Sequence, residues 1–204
     1  MNANVLRRFI TIAFVATLVM MTAYYFYDAV VDRPRGDYEA EKGDMHLSSG
    51  EFDKALSWFN AALRRDPEHL GALMGRSAVF ISRGEHAEAM AELDLIIDRL
   101  HRQLDEAPED SLARQALAVA YANRGNVHDR EARYEQALED YVMSLRIDSN
   151  IVDGPGLVDK IVHDPRPSTV RKRAKYIYEQ LKLPPGERVM RIPELDAKQR
   201  MYKP

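Results

Sequence analysis

One stretch of this chain, residues 36–67, can be laid on two later stretches with the same residue types at the same offsets. No other feature restricts the fold as tightly. It reads GDYEAEKGDMHLSSGEFDKALSWFNAALRRDP. Gly43 and Ala55 are small enough to let two antiparallel helices approach closely, and Phe59 fills the space beside them. Ser48, Ser49, Gly50 and Glu51 supply the turn between the helices, and Asp66-Pro67 stops the second one.

A shift of 34 residues places Gly84 on Gly50, Ala89 on Ala55 and Leu93 on Phe59. Leu73 and Phe80 mark the first helix of this copy, and Ser77 replaces Gly43. In a third copy Tyr121, Gly125, Tyr134, Ala137, Tyr141 and Ser144 repeat the pattern, with Ala132 where the turn glycine belongs. The spacing of Gly43, Gly50, Phe52, Ala55, Phe59, Ala62 and Pro67 resembles the tetratricopeptide repeat, a helix–turn–helix unit of about 34 residues. The fold class that follows is all-α: a solenoid of three such repeats with a capping helix, preceded by one apolar N-terminal helix.

The third copy follows the second by 48 residues rather than 34, an excess of 14. That is close to two turns on each of two facing helices, at about 3.6 residues per turn. The spacing predicts that the second helix of repeat two (85–106) and the first helix of repeat three (111–133) are elongated together as a protruding hairpin, an additional contact surface. Leu93, Ile97, Leu100 and Leu104 give one apolar stripe; Leu112, Gln115, Ala116, Val119 and Asn123 give its partner face. Pro108 to Ser111 reads as the break and N-cap between them.

Residues 9–27, FITIAFVATLVMMTAYYFY, carry no charge and are long enough as a helix to cross a bilayer. Arg7 and Arg8 precede the run, and Tyr24, Tyr25, Phe26 and Tyr27 suit the far interface. The charge bias leaves residues 1–8 in the cytoplasm and sends the rest to the other side, the periplasm in a bacterium. A cleaved signal peptide fits less well, because no Ala-x-Ala site follows and the aromatic cluster is bulky. Residues 28–35 read as a short tether.

The domain plan is then repeats over 36–151 (36–69, 70–108 and 111–151), capping helices over 152–183 and an extended basic tail over 184–204. Ser168 is the expected N-cap of a helix reaching about Leu183, with Val170, Ala174, Ile177 and Leu181 inward and Arg171, Lys172, Arg173 and Lys175 toward water. The tail residues Val189, Met190, Arg191, Ile192, Leu195, Met201 and Tyr202 are more apolar than a solubilising segment needs. They are expected to dock either on a partner or back on the acidic repeats.

Charge is unevenly placed. Residues 36–164 carry 14 Lys/Arg against 26 Asp/Glu, a net of −12, while residues 165–204 carry 11 against 4, a net of +7. An acidic body repels phosphates, so nucleic acid is not an expected partner. The chain has no cysteine, its six histidines are scattered, and it has no nucleotide loop or HExxH pattern. No catalytic residue, metal site or cofactor is expected, and His46 and His128 read as packed between helices.

Recognition remains. The resemblance implies a concave groove lined by the first helix of each repeat, where the family binds extended peptides or helices. Carried onto this chain, its positions are Asp37, Ala40, Asp44, Leu47 and Ser48, then Met74, Ala78 and Ile81, then Ala122, Asn126, Asp129 and Arg130. Ala40 and Asp44 stand where chaperone-tail binders of the family keep a lysine and an asparagine, so a basic or neutral peptide is the better fit. Trp58 is expected on an exposed or inter-repeat face.

The reading is a non-catalytic membrane-anchored adaptor that assists assembly or stabilisation of an envelope membrane-protein complex. In architecture it is similar to periplasmic repeat proteins that assist cytochrome maturation or accompany secretion machinery. The alternatives are a permanent accessory subunit of a respiratory or photosynthetic membrane complex, and an enzyme built on the scaffold.

Overall fold

The structure, a computed structural model, describes residues 3–30, 34–148 and 169–192. It divides into two units, 1–35 and 36–204. The first is one helix, α1 (Ala3–Val30), which runs through the start of the expected tether. Leu6–Tyr25 has a mean hydropathy of 1.6 with none of it buried, long and apolar enough to cross a membrane. The hydroxyls of Thr11, Thr17 and Thr22 donate to carbonyls of their own helix (Arg7 O, Ala13 O and Leu18 O, 2.9–3.0 Å), so each is satisfied without a second helix.

The second unit holds seven α-helices among the described residues: α2 (Asp37–Ser48), α3 (Phe52–Arg65), α4 (Leu70–Arg83), α5 (His86–Glu106), α6 (Ser111–Arg130), α7 (Tyr134–Ile147) and α8 (Val170–Leu181). The pairs α2/α3, α4/α5 and α6/α7 are the three repeats. Each helix packs on the next, and the first helices of successive repeats also touch. The elongated pair is present, with α5 of 21 residues and α6 of 20. Asp110 caps α6 by accepting from Ala113 N–H at 2.9 Å. The face of α6 differs by one residue from the expected stripe: Ala113, Ala116 and Leu117 are buried, while Leu112 is 75% exposed. Side chains lean along the helix, so Leu117 joins the buried cluster that holds Leu100, while a register through Leu112 faces water.

Close approach rests on matched sizes. Phe59 is fully buried between Gly43 of its own repeat and Gly75 of the next; a Cβ on Gly43 would lie 2.5 Å from its ring. Gly125 meets the ring of Tyr141 in the same way. In repeat two the small position is Ser77 and the large one Leu93, both fully buried, so a bulkier small residue stands with a smaller large one. Ser77 satisfies its hydroxyl on Met74 O at 2.8 Å.

The array ends on α8, capped by Thr169, whose hydroxyl accepts from Lys172 N–H. Ser168, the expected cap, lies outside the described residues. Val170, Ala174 and Ile177 pack with Ala122, Ala137 and Tyr141. Arg173 corrects the expectation of a solvated side chain: it is only 6% exposed, because it falls on the same stripe as Val170 and Ile177.

Candidate functional site

Most of the expected groove positions are inside the body. Ala40, Leu47 and Ala78 share one core cluster, Met74 and Ile81 another, and Ala122 a third. Small residues let α2, α4 and α6 come together there, so these side chains join repeats rather than face an open groove. Asp44 and Ser48 are exposed. Asp37 takes His69 Nε2 at 2.7 Å, tying the start of α2 to the start of α4. Arg130 reaches across to donate to Ile81 O at 3.2 Å.

At the end of the array, Asn126 and Asp129 are fully buried. Arg173 grips the Asp129 carboxylate with two bonds, Nε to Oδ2 at 2.6 Å and Nη2 to Oδ1 at 2.7 Å, and Tyr141 donates its hydroxyl to Oδ2 at 3.3 Å. Both polar atoms of Asn126 are buried without a hydrogen bond among the described residues. This is a polar part of the interior, and Arg173 of α8 closes it.

The beginning of the tail lies on the same place. After a short 3-10 turn, Pro185–Glu187, the chain runs extended. Val189 N–H donates to Gln180 Oε1 at 2.7 Å, and Tyr176 gives its hydroxyl to Val189 O. Met190 O accepts from Arg173 Nη2 at 3.0 Å while the Met190 side chain packs on the cluster beneath α8. Arg191 then places Nη2 against two carbonyls ending α6, Asp129 O at 2.9 Å and Arg130 O at 2.6 Å. A helix C-terminus leaves such acceptors free and carries partial negative charge, so it suits a guanidinium.

Of the expected docking residues, Val189, Met190 and Arg191 are therefore placed on their own chain and Ile192 is half-buried, while Leu195, Met201 and Tyr202 lie outside the described residues. The side chains that hold the segment, Arg173, Tyr176 and Gln180, were missed by sequence reading. Arg173 carried a signal, since an arginine three residues after Val170 and four before Ile177 sits on an apolar stripe.

A second polar device recurs between repeats. Arg76 pairs with Glu92 through both Nε and Nη2, and its Nη1 bonds Asn60 Oδ1 at 2.9 Å. At the same register Arg124 pairs with Asp140 (2.9 and 2.7 Å) and reaches Asp94 Oδ1 at 2.8 Å. The Asp140 carboxylate holds Arg124 above its ordinary pKa, keeping the charge fixed. His128, beside Asp140, is pushed below its ordinary value mainly by burial. Among the described residues no three His, Asp or Glu side chains come together as a metal site. These contacts hold segments of the chain to one another.

Residues 40–102 match a family model described as the tetratricopeptide repeat. The RNA polymerase II-associated protein 3 of Xenopus tropicalis is 25% identical over 150 residues, which is 74% of this chain and 21% of that protein. The Hsp70-Hsp90 organizing protein of Triticum aestivum is 25% identical over 126 residues, 60% of this chain and 19% of that protein. The chain thus spans about a fifth of the length of these curated relatives. In fold it is similar to the repeat domain of Sgt2 from Aspergillus fumigatus, with a TM-score of 0.50 at 20% identity over 76% of this chain and 89% of that domain.

Proposed function

We propose, for a chain that belongs to the tetratricopeptide-repeat family, that it is a non-catalytic adaptor anchored in a membrane by α1. Its repeat body stands on the non-cytoplasmic side and assists assembly or stabilisation of a membrane-protein complex. The observation that carries this reading is the extended basic segment Val189–Ile192 held on α6 and α8 through main-chain bonds and one arginine. That is a way of holding a peptide, worked within one chain. The exposed apolar length of α1 supports the anchor, and the basic residues before it support the orientation.

The test is quantitative co-purification in mild detergent of the full chain and of a chain ending at Ile192, which keeps the docked segment. Membrane proteins recovered at less than equal amounts with both forms are the expected result. Recovery of one fixed set at equal stoichiometry, lost on truncation, would overturn the adaptor reading in favour of an accessory subunit. Failure of the full chain to sediment with membranes after a carbonate wash would remove the anchor.

A further inference from the structure

The two ends of the array are treated differently. At the C-terminal end α8 covers the last repeat. At the other end, one face of α2 is left uncovered by the described residues of the second unit, and the later repeats show what belongs on it. Tyr38, Glu41 and Met45 form a stripe at helical spacing, and all three are exposed, Tyr38 by 52% and Met45 by 51%. Their counterparts are Ala72, Gly75 and Val79 in α4, and Ala120, Asn123 and Val127 in α6, and all six are buried.

What buries them is the second helix of the preceding repeat. Ala72 and Val79 lie in one cluster with Ala55, Phe59 and Ala62 of α3. Ala120 and Val127 lie in one cluster with Ala89, Leu93 and Ile96 of α5. Each contact is locked by the recurring arginine, Arg76 to Asn60 and Arg124 to Asp94. In α2 the same position is Lys42. Among the described residues it pairs with no carboxylate; its Nζ lies 5.6 Å over the Tyr38 ring. Trp58 occupies the place of Glu92 and Asp140, set edge-on to Tyr38 at 6.2 Å. Among the described residues, repeat one has thus exchanged the internal acid for an aromatic pair, and its cation faces a ring rather than a carboxylate.

We propose that this face of Tyr38, Lys42, Met45 and Trp58 is a docking surface for an amphipathic helix of a partner protein, seated where α3 sits on α4 and α5 on α6. The partner helix presents small or aliphatic residues at i, i+4 and i+7 and an Asp or Asn at i+5 to meet Lys42, the pattern of Ala89, Leu93, Ile96 and Asp94. A second copy of this chain is the poorer occupant. Its terminal second helix, α7, is already covered by α8, and pairing α2 with α2 sets Lys42 against itself at the centre of the face. This surface is separate from the tail site and does not depend on the membrane anchor.

The only tryptophan of the chain lies on the face and reports on it. The probe is a stapled helical peptide with the sequence of residues 85–100, titrated into the full chain in uncharged detergent micelles while Trp58 fluorescence is read. A saturable change is expected, weakened about tenfold by Lys42→Glu, weakened similarly by a peptide with Asp94→Lys, and restored when both changes are combined. Circular dichroism checks that the Lys42 variant keeps its fold. No saturation, or binding indifferent to the charge exchange, overturns the proposal. So does a Trp58 change on adding anionic vesicles alone, which assigns the face to lipid, or on raising protein concentration alone, which assigns it to a second copy.

Discussion

Arg173 and Asp129 form a two-point ion pair that closes the end of the array, with the arginine 6% exposed and the aspartate fully buried. Taking two charges out of water is costly, and the pair holds because every strong contact is directional. Replacing Asp129 by Ala leaves a buried guanidinium and is expected to destabilise the chain by about 3–5 kcal/mol. The double variant Asp129→Leu with Arg173→Met is expected to recover most of that loss. Thermal unfolding of the full chain in detergent, followed by circular dichroism, checks both. The exposed pair Lys182–Glu179 provides the contrast, since surface pairs contribute about 0–1 kcal/mol.

Gly75→Ala tests the size matching around Phe59. A Cβ at Gly75 collides with the ring, whereas the same change in an open helix stabilises by about 1 kcal/mol. Overpacking costs about 1–3 kcal/mol, so a net loss is expected. Adding Phe59→Leu, the residue type that repeat two has as Leu93, is expected to relieve the clash. The sign of the coupling in a double-mutant cycle decides it.

Much of this was legible in the chain because repeats report on each other. The 14-residue excess appears as the paired extension of α5 and α6, and the stripe of Val170, Ala174 and Ile177 as the packed face of α8. The candidate site was less legible. Ala40, Met74, Ala78 and Ile81 have the same register whether they line an open groove or pack one repeat on the next. Only the separation of the helices distinguishes these cases, and alanine at Ala40 and Ala78 permits the close one. Arg173 stood in a run of basic residues that reads as a solvated face, and its aspartate lies 44 residues away. Nor does an extended segment such as Val189–Ile192 carry a periodicity that names the surface it will lie on.

Ala132 has a φ of 59°, while its counterparts Gly50 and Gly84 have 74°. Left-handed backbone costs a residue with a Cβ about 1–2 kcal/mol. Glycine gives back about 0.4–1 kcal/mol through the freer unfolded chain. Ala132→Gly is therefore expected to stabilise repeat three by up to about 1 kcal/mol. Urea unfolding should show a higher midpoint with an unchanged slope.

His128 makes stability depend on pH in a definite direction. It stands on α6 facing α7, with Nε2 3.6 Å from an Asp140 oxygen and Nδ1 buried without a hydrogen bond among the described residues. Burial is the largest influence and lowers its pKa; Arg133 and Arg124 lower it further, against Asp140 and Glu131, which raise it. A histidine whose folded pKa lies below its unfolded value is neutral in both states at high pH, so its full contribution is present there. As pH falls through about 6.5, the unfolded chain takes up the proton first and stability is lost until the folded pKa is reached. Glu51 and Asp110, whose carboxyls are lowered by hydrogen bonds from Lys54 and from the Ala113 amide, act only below their ordinary range near pH 4. His128→Phe copies Phe80, the residue at the same position in repeat two. Comparing unfolding midpoints at pH 7.5 and 5.5, the wild-type chain is expected to lose more stability than the variant. Because the other histidines are common to both chains, equal losses would show that His128 takes up its proton as readily folded as unfolded.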